Sequence, residues 1–256
     1  MSLIKNEKDL ERLRESGRQL AGIIGALSRE VRPGVLPVDL DEQARVKIKD
    51  LGGQPAFLNY KPPGYRHGYP AALCVSVNED IVHGIPDSRP FQAGDVVTLD
   101  LGLNLEGLIT DMAVTVALPP VNSEVTRLLT ETRAALWAGI KAVRPGVRVN
   151  DIGAAIESKV HSTGFGLVKE LSGHGVGYKV HEEPMVPNFK MAGPSPKLKP
   201  GLVMAIEPMA TLGGGDIKVR PDGFTFATKD GSISAHFEHT VVVTDAGVEV
   251  ITQVNQ

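Results

Sequence analysis

Acidic side chains stand in two segments of the first half of the chain whose other residues are mostly apolar. Asp100 ends the run Val-Val-Thr-Leu-Asp, and Asp111 stands in Leu-Ile-Thr-Asp-Met-Ala-Val. Both patterns predict strands, with residues 104–107 as the turn between them. That turn would pair Leu103 with Leu108. The two carboxylates would then face each other, with Cβ atoms roughly 4.5–5.5 Å apart. Since they repel at this distance, either one is protonated or cations bridge them.

The second half of the chain places acids in a similar way. Glu207 stands in Met-Ala-Ile-Glu-Pro-Met, and Glu238 precedes the apolar run His-Thr-Val-Val-Val. A single acid in a strand is ordinarily solvated on an exposed face, and this interpretation is open for each acid taken alone. Four acids in three strand contexts instead favour one shared metal site.

Three of the seven histidines stand where imidazole chemistry is expected. His83 lies at a predicted bend from strand to loop, His174 lies between two glycines, and His181 precedes two glutamates. Imidazole binds transition metals and also carries or donates protons near neutral pH. We expect His161 to lie in solvent, and His67 to lie either at a pocket mouth or in solvent. His236 and His239 are expected in strand packing, and support of a metal ligand is the alternative for each.

Composition, charge and motifs exclude several classes of protein. The chain has 256 residues and a net charge of −3, without the basic runs of a nucleic-acid-binding protein. The single cysteine, Cys74, excludes an internal disulfide and a CxxC motif. The glycines at 173–177 do not open a helix, as phosphate-binding glycines do. The N-terminal region lacks the apolar stretch of a signal peptide or a membrane span, so we expect a cytoplasmic protein.

Helices and strands must position the acids and histidines. Apolar residues that recur every three or four positions predict helices, and Asn6 is the predicted N-cap of the first. The predicted helices cover residues 6–31, 40–51, 124–143 and 152–161. The predicted strands cover residues 72–77, 96–101, 108–117, 202–210 and 236–243.

A repeat relates the two halves of the chain. Arg-Pro-Gly-Val follows the first helix of each pair, at residues 32–35 and 144–147, an offset of 112. At the same offset, Asp39 and Asp151 are predicted to cap the second helix of each pair. No Pro- or Ser-rich linker divides the halves. We therefore expect one α+β domain over residues 1–256, with related halves of about 1–120 and 121–256.

Taken together, these segments resemble the type I methionine aminopeptidases of the pita-bread metallopeptidase family. The likeness covers nearly the whole chain. It implies a pseudo-two-fold repeat of helices packed on a curved, mainly antiparallel sheet. The matching segments are residues 74–86, 99–102, 110–115, 172–184, 205–209 and 237–240.

The resemblance also implies a metal centre and a chemical role for several residues. The metal would be two divalent ions, Co, Mn, Fe or Zn, with Asp111 and Glu238 bridging them. Glu207 would act as general base, His181 would stabilise the oxyanion, and His83 would bind the scissile amide. The five implied ligands are Asp100, Asp111, His174, Glu207 and Glu238.

A methionine pocket is the third implication of the resemblance. An apolar slot that accepts a thioether suits a methionine side chain. The implied pocket residues are Tyr69, Cys74, Val180 and Phe224, with His67 close by. The sequence departs from the usual family residues at Arg66, Thr110, Val180 and Phe224.

The implied function is removal of the N-terminal methionine from nascent proteins and peptides with a small second residue. The expected partners are nascent N-termini at the ribosome, and the expected state is a monomer without nucleic-acid or membrane binding. A proline-specific aminopeptidase of the same fold is an alternative, although such enzymes usually carry an added N-terminal domain. A non-catalytic pita-bread binding module is another, although such a module would have lost ligands, and all five are present.

Overall fold

The computed structural model describes residues 3–4 and 6–253. This part of the chain contains four helices and fifteen strands. The remaining residues of the predicted 1–256 domain, Met1, Ser2, Lys5 and residues 254–256, lie outside the described part. The helices are α1 (Glu7–Glu30), α2 (Pro37–Asp50), α3 (Ser123–Ala142) and α4 (Val149–His161). The strands are β1 (Gln54–Pro55), β2 (Leu73–Val77), β3 (Asp80–Val82), β4 (Val96–Leu105), β5 (Leu108–Ala117), β6 (Gly166–Leu167), β7 (Ser172–Gly175), β8 (Glu182–Pro187), β9 (Val203–Ile206), β10 (Met209–Thr211), β11 (Ile217–Val219), β12 (Phe226–Thr228), β13 (Ser234–His236), β14 (His239–Thr244) and β15 (Gly247–Val250).

The two long helices begin and end close to their predicted bounds. Asn6 caps α1 as predicted, because its Oδ1 accepts a hydrogen bond from Asp9 N at 2.9 Å. The predicted caps of the two shorter helices are wrong, since α2 follows Leu36 and α4 follows Arg148. In each case the predicted cap residue is the third residue of the helix. Pro37 explains the earlier start of α2, because proline needs no N–H partner in the first helical turn.

Each helix pair covers its own group of strands. In the first half, α1 and α2 pack on β2, β4 and β5, and the core between them contains Leu20, Leu40 and Leu99. In the second half, α3 and α4 pack on β8, β9, β10 and β13, around Ile156 and Ile206. The division into two related halves stays a prediction. Each helix pair nevertheless buries its apolar face against strands that carry or adjoin predicted ligands.

The hairpin of β4 and β5 differs from its predicted register by two residues. Leu105 pairs with Leu108, so the turn contains only Glu106 and Gly107, whose φ values are 51° and 83°. A two-residue turn with positive φ at both positions matches the right-handed twist of the strands. The prediction that Asp100 faces Asp111 is therefore wrong, because Asp100 pairs with Ala113 and Asp111 with Gly102. A shift of two residues keeps both carboxylates on the same face.

Two predicted strands are each interrupted at an acid. Residues 202–210 form β9 and β10 with Glu207 between them, and residues 236–243 enter β14 after a gap that contains Glu238. On one side of the gap β9 pairs with β14, and on the other side β10 pairs with β13. The pairs Ile206–His239 and Met209–His236 keep one register. Glu207 and Glu238 occupy opposite positions in that register.

Every strand pair in the described part of the chain is antiparallel. The strands form four small sheets, two of which meet at the interruptions. None of the helices within residues 3–4 and 6–253 is long and apolar enough to span a membrane. The sheet orders are β1-β4-β2 with β5 on β4, β13-β10-β6, β11-β12-β3, and β15-β14-β9-β7-β8.

Candidate metal centre

A cavity of about 310 Å³ collects nearly all the side chains singled out from the sequence. His67 is exposed and is not among the lining residues. The lining includes the five predicted ligands, both predicted catalytic histidines and four predicted pocket residues: Asp100, Asp111, His174, Glu207, Glu238, His83, His181, Tyr69, Cys74, Val180 and Phe224.

Three of the predicted ligands are grouped tightly enough to hold one cation. One ligand atom each from Asp111, His174 and Glu238 lies within 4.8 Å of the others. Glu207 adjoins this group, because its Oε1 lies 3.4 Å from His174 Nε2. Asp100 is on the same face of the hairpin as Asp111. The structure therefore brings together the residues that strand patterns alone placed in three separate segments.

His174 has the orientation expected of a metal-binding histidine. It lies on β7, and its Nδ1 is 2.9 Å from the carbonyl oxygen of Gly175. Since a carbonyl only accepts, Nδ1 carries the proton and Nε2 presents its lone pair toward the acids. The Cβ that a residue at 175 would add meets Glu183 O at 2.5 Å, so glycine is required there by the close approach of β8.

Threonine hydroxyls connect β5 to the second half of the chain at the centre. Thr240 Oγ1 accepts from Asp111 N and donates to Asp111 O, both at 2.8 Å. Thr115 Oγ1 makes the same pair of bonds to the N and O of His236, at 2.9 and 2.6 Å. Between these bridges, Glu238 N donates directly to Ala113 O at 3.0 Å. The backbone of the centre is thus fixed by contacts between the two halves.

The four carboxyl groups lie in an environment that opposes their ionisation. Burial raises the pKa of Asp100 to about 7. Burial, and then the charges of neighbouring carboxylates, raise the pKa values of Asp111, Glu207 and Glu238 well above their usual range. Desolvation and like charges both favour the protonated form of a carboxyl group.

A divalent cation fits the donor atoms of this cluster. Buried oxygens of Asp100, Asp111 and Glu238 have no hydrogen-bond partner in the described chain. The imidazoles of His174 and His236 adjoin the acids, but burial lowers the pKa of each to about 3, so both are neutral and do not balance the charge of the carboxylates. Carboxylate oxygens and one imidazole suit Mn, Fe, Co or Zn. The unpartnered oxygens are thus placed as ligands would be.

His181 and His83 stand next to the cluster in different surroundings. His181 is exposed at the cavity mouth, with its ring 4.3 Å from that of His174 and nearly perpendicular to it. Its Nδ1 lies 2.8 Å from the hydroxyl of Tyr60. His83 has a φ of 57°, in the left-handed region, and burial lowers its pKa to about 4. Strained backbone of this kind clusters at functional sites.

Aromatic side chains form the apolar wall of the cavity. The ring of Phe224 lies 5.3 Å from that of Tyr65 and 5.5 Å from that of Tyr69. The Tyr69 hydroxyl donates to Gly84 O at 2.7 Å, which directs the ring along the wall. Cys74 is buried and unpaired beside it. The result is an apolar pocket next to the acids.

Sequence reasoning missed several residues of the site. Tyr60 and Tyr65 flank a Pro-Pro-Gly turn, and their only sequence signal is that two aromatic residues stand near His67. The prediction of strand packing holds for His239, whose Nδ1 is 3.0 Å from Thr252 Oγ1. His236 also lies buried on a strand, β13, but its Nε2 is 3.7 Å from a carboxylate oxygen of Glu207, so support of a metal ligand stays a prediction for it. The spacing of two residues between His236 and Glu238 was the available signal.

Comparisons with known proteins agree with this geometry. Residues 11–245 match metallopeptidase family M24. Methionine aminopeptidase of Treponema pallidum is 42% identical over 254 residues, which cover 99% of this chain and 97% of that protein. Methionine aminopeptidase of Aquifex aeolicus is 41% identical, with 97% of each chain covered.

Solved structures show the same relationship. The structure of methionine aminopeptidase from Thermotoga maritima matches with a TM-score of 0.92 and 37% identity, covering 99% of this chain and 100% of that one. Xaa-Pro dipeptidase from Bacillus anthracis matches with a TM-score of 0.78 and 20% identity, covering 99% of this chain and 63% of that one. The second likeness is one of fold alone. The expected pita-bread arrangement of helices and antiparallel strands is confirmed.

Proposed function

Because this chain belongs to metallopeptidase family M24, and within it to the methionine aminopeptidases, we propose that it hydrolyses the first peptide bond of polypeptides that begin with methionine. The observation that carries the proposal is the cluster of Asp111, His174 and Glu238 at an apolar pocket. The acids supply a metal centre, and the pocket supplies room for the methionine side chain. The substrate class is the N-terminus of a nascent polypeptide.

The proposed ligands of the centre are the five residues implied by the family resemblance. When four carboxylates are ionised, their combined charge of −4 is balanced by two divalent cations, which supports a two-ion centre. The ions are proposed to be Co, Mn, Fe or Zn, which a carboxylate and imidazole site does not distinguish. Such a centre polarises the scissile carbonyl and lowers the pKa of water. The ligands are Asp100, Asp111, His174, Glu207 and Glu238.

Glu207 is proposed to move the proton during hydrolysis. Its carboxylate stands between two imidazoles, 3.4 Å from His174 Nε2 and 3.7 Å from His236 Nε2. As general base it takes a proton from the attacking water while the water oxygen bonds to the carbonyl carbon. When the C–N bond breaks, the same proton passes to the leaving amine nitrogen. Burial of Glu207 favours this role, because it raises the pKa of the carboxyl well above its usual range and so makes the carboxylate a stronger base.

His181 and His83 are proposed to bind the polar atoms of the scissile peptide. The Tyr60 hydroxyl can donate to His181 Nδ1 at 2.8 Å, which leaves the proton on Nε2 as a donor to the developing oxyanion. His83 is half-buried in the cavity lining, and burial lowers its pKa to about 4, so it stays neutral and one ring nitrogen donates while the other accepts. That arrangement suits a hydrogen bond to the amide or to its departing nitrogen.

The methionine side chain is proposed to lie against Tyr69, Cys74, Val180 and Phe224. All four line the cavity, and all are at most 8% exposed. An unbranched thioether fills an irregular apolar slot without needing a polar partner. His67 is exposed and lies outside the lining, which favours a place for it beyond the pocket.

Peptide hydrolysis across a metal series tests the proposed function. The chelated protein is assayed with Met-Ala-Ser and with Ala-Pro-Ala, before and after addition of Mn²⁺, Fe²⁺, Co²⁺ or Zn²⁺. We expect cleavage of the methionyl peptide only, abolished by chelation and restored by at least one metal. Glu207→Gln is the inactive variant, and Glu42→Gln, at an exposed position of α2, is the matched control.

Each contrary result of this assay has a definite meaning. Preference for the prolyl peptide would favour the proline-specific alternative. Undiminished turnover after exhaustive chelation would exclude the metal mechanism. Cleavage of neither peptide by the metal-loaded protein would favour a non-catalytic binding module.

The cellular setting is part of the proposal. We expect the protein to act in the cytoplasm as a monomer, on nascent chains at the ribosome. Size-exclusion chromatography with light scattering measures the oligomeric state. Cosedimentation with translating and with empty ribosomes measures the association with nascent chains.

A further inference from the structure

His236 is a buried histidine with no hydrogen bond from either ring nitrogen to the described residues. Its side chain is 1% exposed, and its Nε2 lies 3.7 Å from Glu207 Oε2 and 4.0 Å from Glu238 Oε2. The hydroxyl of Thr115 holds the backbone of His236 on both sides. The ring is therefore kept against two proposed metal ligands by a contact that does not involve the ring itself.

His174 and His236 both approach Glu207, but their second ring nitrogens differ. A metal-binding histidine almost always donates its other N–H to a carboxylate, a carbonyl or water. His174 does so, because its Nδ1 is 2.9 Å from Gly175 O. His236 Nδ1 faces no acceptor among the residues that the structure describes. If His236 bound a metal through Nε2, the proton would move to Nδ1 and remain buried without a partner, which is unfavourable.

A proton on Nε2 of His236 has acceptors on two sides. Glu207 Oε2 and Glu238 Oε2 are both carboxylate oxygens, which only accept when ionised. A movement of about 0.5 Å brings the shorter separation into the N–H···O range of roughly 2.7–3.2 Å. Nδ1 then keeps an unpaired lone pair, and no N–H group is left without an acceptor.

We propose that His236 is a positioning residue of the metal centre, which donates from Nε2 to the Glu207 carboxylate and holds Glu207 and Glu238 in the orientation that binds metal. The proposal rests on the proposed function, since it requires both glutamates to be ligands. Partners of this kind orient carboxylate ligands, and their loss typically lowers metal affinity about 10–100-fold. His236 is thus distinct from His174, which binds the metal itself.

Calorimetric titration of the chelated protein with Mn²⁺ tests the proposal without an activity assay. His236→Leu removes the donor at similar volume, and we expect its affinity to fall about 10–100-fold. His236→Gln restores an N–H donor, and we expect it to recover most of that loss. The matched control is His239→Gln, which changes a neighbouring histidine that contacts Thr252 instead of the acids. We expect this control to bind Mn²⁺ as the wild type does.

The outcomes separate this proposal from the proposed function. A wild-type protein that binds none of Mn²⁺, Fe²⁺, Co²⁺ and Zn²⁺ in this titration would refute both. If the wild type binds and His236→Leu binds equally well, only the positioning role is overturned. His236→Gln as weak as His236→Leu would also contradict donation.

Pulsed electron paramagnetic resonance of the Mn²⁺-loaded wild type keeps the test valid if a variant does not fold. We expect the spectrum to show one directly bound imidazole, from His174. Two bound imidazoles would make His236 a ligand and overturn the positioning role.

Discussion

The two halves of the chain bring carboxylates to one centre in different ways. Asp100 and Asp111 stand on β4 and β5, which pair without interruption over ten residues. Glu207 and Glu238 stand in gaps where the chain passes from one sheet into another. In the continuous hairpin, the pairing register decides which face of the sheet each acid occupies. In the interrupted strands, the acids lie where backbone pairing stops.

The difference concerns which contacts hold each acid in place. The register of the first pair depends on a two-residue turn, so it is specified within the hairpin. The second pair depends on distant segments, since Glu238 N donates to Ala113 O and Asn188 Nδ2 donates to Glu207 O at 3.1 Å. The first half is therefore locally determined, because its two acids are positioned relative to each other within one hairpin. The second half is determined by docking, because its two acids are held by hydrogen bonds to distant segments.

Removal of one carboxylate from each half tests whether both halves are essential to the centre. We expect Asp111→Asn and Glu238→Gln each to lower kcat/KM by at least about 10³-fold, because metal polarisation supplies several kcal/mol of barrier reduction. Peptide hydrolysis measures the loss, with Glu42→Gln as the control. A variant that retains a tenth of the activity would show that the carboxylate it replaces is not essential to the centre.

The pH dependence of stability tests the electrostatics of the locally determined half. Asp100 has a raised pKa of about 7, against 3.8 for an ordinary aspartate, so the folded state binds more protons between these values. Burial also lowers the pKa values of several histidines and raises those of the other acids, so the effect of Asp100 is isolated by comparison with Asp100→Asn. The free energy of unfolding of the chelated wild type, minus that of Asp100→Asn, should fall as pH rises from about 4 to 7, by on the order of a few kcal/mol. Urea unfolding of both proteins at each pH measures this difference, and a difference that rises over this interval would contradict the buried-acid account.

Thr240→Val tests the docking contact between the halves. The substitution leaves the buried N and O of Asp111 without their 2.8 Å partners, and we expect a loss of about 1–3 kcal/mol in the free energy of unfolding. The control is Thr126→Val on the exposed surface of α3, which should stay within about 0.5 kcal/mol of the wild type. Equal effects of the two substitutions would remove the bridging role of Thr240.

Gly107→Ala tests the turn that sets the hairpin register. Gly107 has a φ of 83°, and a new Cβ there meets no atom within 4 Å, so only backbone strain is added. We expect a loss of about 1 kcal/mol in the free energy of unfolding. Gly22→Ala in α1 is the matched control, since it is equally open but helical and should gain about 0.5–1 kcal/mol. If both substitutions stabilise the protein, the turn does not constrain the hairpin.

The sequence predicted elements with strong local signals and missed those with weak local signals or with positions set by distant contacts. The period of α1 and its cap Asn6 are local, and both were predicted correctly. The hairpin register was missed because Glu106, a residue without preference for positive φ, occupies the first turn position, and Asn104 suggested an earlier turn. The acids were found on the correct face because a shift of two residues preserves it.

The interruptions show why part of the site was not predictable. Pro208 carried a usable signal, since a residue without an N–H seldom continues a central strand. No glycine or proline marks the gap at Glu238. This gap exists because β13 and β14 pair with strands that belong to different sheets. The contact of Tyr60 with His181 joins residues 121 positions apart, and no local pattern reports it.

The threonine bridges also place the metal centre late in folding. The contact of Asp111 with Thr240 spans 129 residues, and that of Thr115 with His236 spans 121. Closing chain segments of this length costs entropy before any contact repays it, so long-range contacts form slowly. The newly made chain must therefore collapse and dock both halves before a cation finds its ligands. In a refolding experiment, metal uptake should lag behind helix formation and coincide with the last burial step.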